Sequence, residues 1–213
     1  MMITEAEVLD VLERVGAFRA GHFVFTSGRH SDKYINKDAL YPFTKETSNL
    51  CRAMAERFKD DGIEVVIGPA VGAAVLSQWV AFHLSEMTGR DVAAVYADKD
   101  GEGGFIVKRG YDRVIDHHKV LVVEDLMTTG GSVKKVIDAV RKVGADVAGV
   151  AAICNRGGVK AKDIGNPSRF EVLLNVHLDS WDEKECPLCE RNIPINVEVG
   201  HGREFLKKKE GTK

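Results

Sequence analysis

The chain has 213 residues, 44% of them hydrophobic and 29% charged, a balance that suits one well-cored soluble domain. Its formal net charge of −2 gives no electrostatic ground for a nucleic-acid or membrane-surface partner, and no apolar run is long enough to span a bilayer. Four cysteines, and an N-terminus without a secretory apolar stretch, fit a reducing cytoplasm rather than a disulfide framework.

Residues 4–16 read as an amphipathic helix with Val8, Leu9, Leu12 and Val15 on one side. An alternating strand follows from Phe23 and turns at Ser27-Gly28. Residues 45–60 make a second helix, closed by Asp61-Gly62. Val65 to Ile67 is a short buried strand, and residues 68–72 turn it into a helix reaching roughly Met87. Val92 to Tyr96 is the next strand, with Phe105 to Val107 an added one. The four apolar residues Val120 to Val123 read as a strand covered on both faces, as in a parallel sheet. A helix from Ser132 carries Val133, Val136, Ile137, Val140 and Val143 on one face as far as Gly144, and Val147 to Ile153 is the following strand. The tail from Lys207 to Lys213 is expected to be solvated and frayed. This alternation predicts an α/β fold, a twisted and mostly parallel sheet flanked by helices with right-handed crossovers. A single domain over 1–213 is expected, with an N-terminal stretch over 1–44, a core over 45–180 and a C-terminal segment over 181–213.

The stretch from Val120 to Val133 concentrates the chemistry. Glu124 and Asp125 follow the apolar strand, at the edge where open α/β sheets bind ligands. Leu126 and Met127 lead into Thr128, Thr129, Gly130, Gly131 and Ser132, small residues that let the backbone approach an anion at a helix start. No lysine follows the glycines and no G-x-G-x-x-G precedes the helix, which excludes a Walker A or dinucleotide loop. Two adjacent acids would repel a polyanion, yet they suit neutral hydroxyls one ribose length from a phosphate, or action through a metal. A sugar phosphate satisfies both halves. A capped tight turn would explain each residue singly, but not their order.

The segment resembles the phosphoribosyl-pyrophosphate (PRPP) signature of type I phosphoribosyltransferases: apolar strand, two acids, two variable residues, then Thr-Thr-Gly-Gly-Ser. Near the N-terminus, Phe23 to Ile35 resembles the hood segment of orotate phosphoribosyltransferases, with its Ser-Gly-Arg and following aromatic. The resemblance runs from the helix at Val8 to about Ile195. It implies the type I phosphoribosyltransferase fold with an N-terminal hood. It also implies transfer of the phosphoribosyl group from PRPP to orotate in pyrimidine nucleotide biosynthesis, in a cytoplasmic homodimer. By the same resemblance residues 124–132 would hold PRPP, and Thr128 with Arg156 would take the orotate carboxylate. Tyr34 and Ile35 would lie against the pyrimidine. Mg²⁺ would be expected on the pyrophosphate and ribose oxygens of PRPP, without a direct protein ligand. Asp125 and Lys99 are the catalytic candidates on this match.

The chain departs from the family pattern at three places. Between Tyr96 and Phe105 the loop that closes over pyrophosphate is short and holds one lysine, Lys99. Thr26 stands where a lysine precedes Ser-Gly-Arg, and Val71-Gly72 replaces an aromatic–Lys pair. Lys108 and Arg109 are candidates to supply the missing cations to pyrophosphate, or else belong to a charged hairpin. Cys186-Pro-Leu-Cys189 has the form of half a zinc site. Cys51 and Cys154 read as helix and strand, and His177 and His201 are not at metal-site spacings, so a reduced structural turn is expected, with zinc shared across a dimer or a redox pair as alternatives. Two other functions fit less of the chain: transfer to a purine or uracil, and a non-catalytic PRPP or nucleotide sensor.

Overall fold

The computed structural model describes residues 3–211. Helix α1 (Glu5–Arg14) starts on a capping box: the Glu7 amide donates to Thr4 Oγ1 at 3.3 Å, and the Thr4 amide donates to the Glu7 carboxylate at 2.8 Å. Next come the strands β1 (Phe18–Val24) and β2 (His30–Ile35), then α2 (Thr44–Phe58), β3 (Val65–Pro69) and α3 (Gly72–Thr88). They are followed by β4 (Ala93–Lys99), β5 (Phe105–Ile106), α4 (Tyr111–Ile115), β6 (Lys119–Met127) and α5 (Gly131–Val143). The chain closes with β7 (Asp146–Asn155), β8 (Phe170–Asn175), α6 (Pro187–Glu190) and α7 (Gly202–Glu210). Among the described residues no helix is long and apolar enough to cross a membrane.

Two compact units emerge. The larger takes in the described residues up to Leu9 together with Tyr41–Val176, and the smaller takes in Asp10–Leu40 with the described residues from His177 onward. The sequence-level division at 44 and 181 thus separates two stretches, N-terminal and C-terminal, that group together in space.

In the larger unit six strands run in the order β5-β4-β3-β6-β7-β8, all parallel except β5, which pairs antiparallel with β4 at the edge. The central strands are apolar throughout because both faces are covered: Val120, Leu121, Val122 and Val123 are fully buried, as are Val66 and Ile67. Phe58 of α2 fills the space left by Gly149 on β7, where a Cβ would meet its ring at 3.2 Å or closer. Strand order reverses between β3 and β6, since the chain leaves β3 toward β4 on one side while β6 leads to β7 on the other. The ladder between β3 and β6 ends at Ile67 and Val122, while β6 stays paired with β7 as far as Met127 and Asn155. The crevice that opens there is a topological switch point, the usual ligand position in such sheets.

Continued pairing with β7 makes β6 nine residues long, so Glu124 and Asp125 lie within the strand rather than beyond it. The helix after the loop begins at Gly131, one residue before Ser132, because Gly130 adopts the left-handed conformation that caps it. Helix α1 is shorter than 4–16, and β4 and β7 each run further than their apolar residues suggest. In the smaller unit the tail is not frayed from Lys207: residues 202–210 form α7, anchored where Phe205 meets the His30 ring edge-on at 4.9 Å. Thr212 and Lys213 lie outside the described residues.

Candidate active site

The loop after β6 owes its shape to two close approaches. Gly130 has φ of 75°, and a Cβ there would meet Ile164 Cγ2 at 2.5 Å and Val159 Cγ1 at 2.9 Å. Gly157 lies so close to Thr128 that a Cβ would overlap its carbonyl. Thr128, Thr129 and Ser132 are exposed at the turn, and Thr129 Oγ1 accepts from the Gly131 amide at 3.3 Å. Glu124 and residues 126–133 line a cavity of about 120 Å³. The start of α5 opens into it, so unsatisfied helix N–H groups and hydroxyl donors converge on one small volume, an arrangement suited to an anion.

Behind this loop sit the two acids. Glu124 and Asp125 are 7% and 6% exposed, unusual burial for carboxylates. Glu124 Oε1 accepts the Asp125 amide at 3.1 Å, and Asp125 Oδ2 accepts a hydrogen bond from the Tyr41 hydroxyl. Gly72, the first residue of α3, allows this meeting: a Cβ there would lie 2.6 Å from Asp125 Oδ2 and 2.5 Å from the Tyr41 hydroxyl. Val71-Gly72, a departure from the family pattern, is thus a close-contact position, with Val71 itself 83% exposed. Tyr41 is invisible to motif reading, because a lone aromatic before Pro42 carries no spacing signal.

Arg156 follows β7, the strand beside β6. Its amide donates to the Met127 carbonyl at 3.0 Å, and its Nε donates to Thr128 Oγ1 at 3.0 Å. The two residues matched to carboxylate recognition are therefore joined, although 28 positions apart. Lys99 ends β4, paired with Phe105, and its side chain is exposed. The turn beyond it is stiffened by Asp100, whose Oδ1 accepts from the amides of Glu102 and Gly104, both at 2.8 Å. Lys135 of α5 donates to the Gly103 carbonyl.

Lys108 and Arg109 lie beside Asp98. Both reach Asp98 Oδ2, Arg109 Nε at 2.9 Å and Lys108 Nζ at 3.5 Å. These contacts make a charged hairpin in which the Lys108 and Arg109 side chains stay about half exposed. The Arg109 hydrogen bond foremost holds the Asp98 carboxyl below the usual range. Because the folded-state value is lowered, this interaction adds stability above the ordinary carboxylate value near ~4 and loses it as pH falls through the folded value. Wild type is therefore expected to be more urea-resistant than Asp98→Asn at neutral pH, with the two midpoints converging well below pH ~4. A gap independent of pH would contradict it.

In the smaller unit, Tyr34 lies on β2 with its ring 5.4 Å from Phe23 and 6.4 Å from Phe25, and Ile35 is buried. Arg29 donates to Ser180 Oγ at 3.0 Å and to Asp182 Oδ1 at 3.1 Å.

A model of the phosphoribosyl transferase domain matches residues 37–180. The orotate phosphoribosyltransferase of Caldanaerobacter subterraneus subsp. tengcongensis is 36% identical over 189 residues, covering 89% of this chain and 94% of that protein. The chain belongs to the orotate phosphoribosyltransferase family. Another member, from Thermotoga maritima, is 37% identical over 92% of this chain and 98% of its own length. The crystal structure of the Mycobacterium tuberculosis H37Rv orotate phosphoribosyltransferase superposes with a TM-score of 0.66 at 26% identity, over 81% of this chain and 96% of that one. The α/β architecture expected from the sequence is thus the fold of a phosphoribosyltransferase.

Proposed function

We infer that the chain transfers the 5-phosphoribosyl group from PRPP to orotate, giving orotidine 5′-monophosphate and pyrophosphate, a pentosyltransferase reaction of pyrimidine nucleotide synthesis. The observation that carries this reading is the Arg156–Thr128 hydrogen bond, which puts a guanidinium on the rim of the anion loop. A planar fork suits the orotate carboxylate, which uracil and purines lack.

Residues 128–132 and the start of α5 take the 5′-phosphate, and the carboxylates of Glu124 and Asp125 accept hydrogen bonds from the ribose hydroxyls. Leu126 and Met127 set the spacing between the two. Tyr41 positions Asp125. The orotate ring nitrogen bonds to the anomeric carbon and gives up its proton to a pyrophosphate oxygen or to water, as the bond to the pyrophosphate oxygen breaks and its electron pair leaves with pyrophosphate. Positive charge on the sugar ring peaks in between, as in glycoside hydrolysis, next to the buried acids. No protein nucleophile is needed. Lys99, whose charge is not spent on Asp98, is assigned to the departing pyrophosphate, and Tyr34 with Ile35 to the pyrimidine face.

Glu124, Asp125 and Tyr41 offer oxygen donors, a hard set compatible with Mg²⁺, an ion that keeps much of its shell for water and phosphate oxygens. The ion is therefore assigned to PRPP oxygens, and when bound it offsets pyrophosphate charge. A homodimer belongs to the same reading, supported by Val75 and Phe82, two exposed apolar residues seven positions apart on α3. A monomer mass on sedimentation would remove it. Four free cysteines support a cytoplasmic setting.

The test is pyrophosphate release with PRPP, Mg²⁺ and each of orotate, uracil, adenine and hypoxanthine. Orotate alone should support turnover; equal turnover with another base would displace the assignment. In the same assay Lys99→Ala is expected to lower kcat by roughly fivefold, about 1 kcal/mol for an exposed charge near a phosphate. An unchanged kcat would remove Lys99 from the mechanism.

A further inference from the structure

The smaller unit holds a second constellation, which the transferase chemistry does not use. His22, His30, Cys186 and Cys189 each offer one ligand atom, and these atoms all lie within 4.8 Å of one another. His22 Nε2 is 2.8 Å from His30 Nδ1, 3.7 Å from Cys186 Sγ and 3.8 Å from Cys189 Sγ, and Cys189 Sγ is 3.4 Å from His30 Nδ1. His22, His30 and Cys186 are almost fully buried, and Cys189 is half-buried.

The tautomer of His22 is set from outside. Its Nδ1 lies 2.7 Å from the Ile193 carbonyl, which can only accept, so Nδ1 carries the proton and Nε2 presents a lone pair to the other three groups. A backbone carbonyl behind a ligating imidazole is the usual outer partner in metal sites. His30 Nε2 is buried without a hydrogen-bond partner among the described residues. If His30 Nδ1 gave its proton to His22, that Nε2 would be left as an orphaned acceptor. If Nδ1 instead gives its lone pair to a cation, Nε2 carries the proton and lies in a ring that meets the Phe205 ring edge-on.

The backbone brings these atoms together. Between Ala20 and Phe23 the ladder of β1 with β2 slips by one residue, because Ala20 pairs with Lys33 but Phe23 with Ser31. That bulge sits at Gly21-His22 and re-aims the His22 side chain. His22 is bridged to Ile195 and His30 to Trp181, so both histidines are hydrogen-bonded to the C-terminal segment. Cys186 caps α6 and Cys189 lies on its single turn, which folds the C-x-x-C onto one point.

We propose that His22, His30, Cys186 and Cys189 form a closed tetrahedral zinc site that staples the β1–β2 hairpin to the C-terminal segment. Two imidazoles and two thiolates in a tetrahedron suit Zn²⁺, and four protein ligands leave no open position, which makes the site structural rather than catalytic. Zinc bonds of about 2.0–2.3 Å require N···S separations near ~3.5 Å and an N···N separation near ~3.3 Å. The three N···S distances already match, and the two imidazoles need move apart by only about half an ångström. Because the ligands come from segments some 160 positions apart, binding would close a very long loop, and metal affinity becomes folding stability for this unit. The site is independent of the transferase assignment.

The decisive experiment is elemental analysis of the full chain purified under reducing conditions without chelator, with Co²⁺ titration of the stripped protein. About one zinc per chain is expected, together with a thiolate-to-cobalt charge-transfer band that saturates at about one equivalent and is abolished by zinc. Cys186→Ser with Cys189→Ser should lower zinc content at least about tenfold. Should that variant fail to fold, His22→Gln, which changes one ligand, must weaken cobalt binding by about 10- to 100-fold. A wild-type chain without zinc and without the cobalt band, a zinc content unchanged by the cysteine substitutions, or a Cys186–Cys189 disulfide in the reduced preparation would each overturn the proposal.

Discussion

Arg156→Ala is expected to raise the KM for orotate roughly 10²-fold, about 3 kcal/mol, while the KM for PRPP stays within about twofold. The size follows from losing charge-assisted hydrogen bonds to a carboxylate that must still be taken out of water. The selectivity follows from position: Arg156 touches the loop through Thr128 Oγ1, whereas the cavity inside the loop is lined by Glu124 and residues 126–133. Arg156→Lys keeps the charge without the fork and should recover only some of the loss. Steady-state kinetics with each substrate varied in turn measures both constants. Equal loss for orotate and PRPP would mean that the loop itself had collapsed, and the carboxylate assignment would fall.

Asp125→Asn should weaken PRPP by about 1–3 kcal/mol, roughly 5- to 150-fold. The substitution keeps volume, which matters because Gly72 and Tyr41 leave no room beside this side chain. It removes the negative charge opposite the developing sugar cation, so kcat should fall as well as PRPP affinity. Asparagine also brings an NH₂ group, which can meet the Tyr41 hydroxyl only if that hydroxyl gives up donating to Asp125. Calorimetric titration of PRPP and Mg²⁺ into the variant measures the effect, and unchanged affinity would remove Asp125 from the ribose site.

The centre of the fold and of the site is legible in the sequence because its signals are local. A strand of three valines and a leucine, two acids and a small-residue turn are contiguous, and their physical meaning survives without any partner strand. Legibility fails where the deciding interaction is distant. β6 runs on to Met127 only because β7 keeps pairing beside it, so a strand judged by its apolar residues ends at Val123. β8 escapes a periodicity reading because an edge strand is half-exposed and Glu171 and Asn175 dilute its pattern. Tyr41 meets Asp125 across 84 positions, with no motif between them. Lys108 and Arg109 pair with Asp98, ten and eleven positions upstream, a contact that no local pattern announces. The C-x-x-C turn reads as half of a ligand set, and the histidines nearer in sequence, His177 and His201, do not complete it. Its neighbours are His22 and His30, which a β-bulge and two isolated backbone bridges bring to it.

The thinned loop after β4 bears on how turnover is achieved. In place of a long basic flap, this chain has a short hairpin tied by Asp100 and Lys135, with Lys99 as its exposed cation at the end of β4. On the proposed function, more of the work of holding PRPP then falls on the α5 start and the buried acids Glu124 and Asp125.

The central claim is that one loop both cradles the sugar phosphate and, through Thr128 and Arg156, receives the carboxylate of the base. Parallel calorimetric titrations of orotidine 5′-monophosphate and uridine 5′-monophosphate test it most directly, because the two ligands differ only in that carboxylate. The carboxylate-bearing nucleotide should bind about 10- to 100-fold more tightly, an advantage of about 1.5–3 kcal/mol that Arg156→Ala abolishes. Equal affinity of the wild-type chain for the two nucleotides would contradict the account.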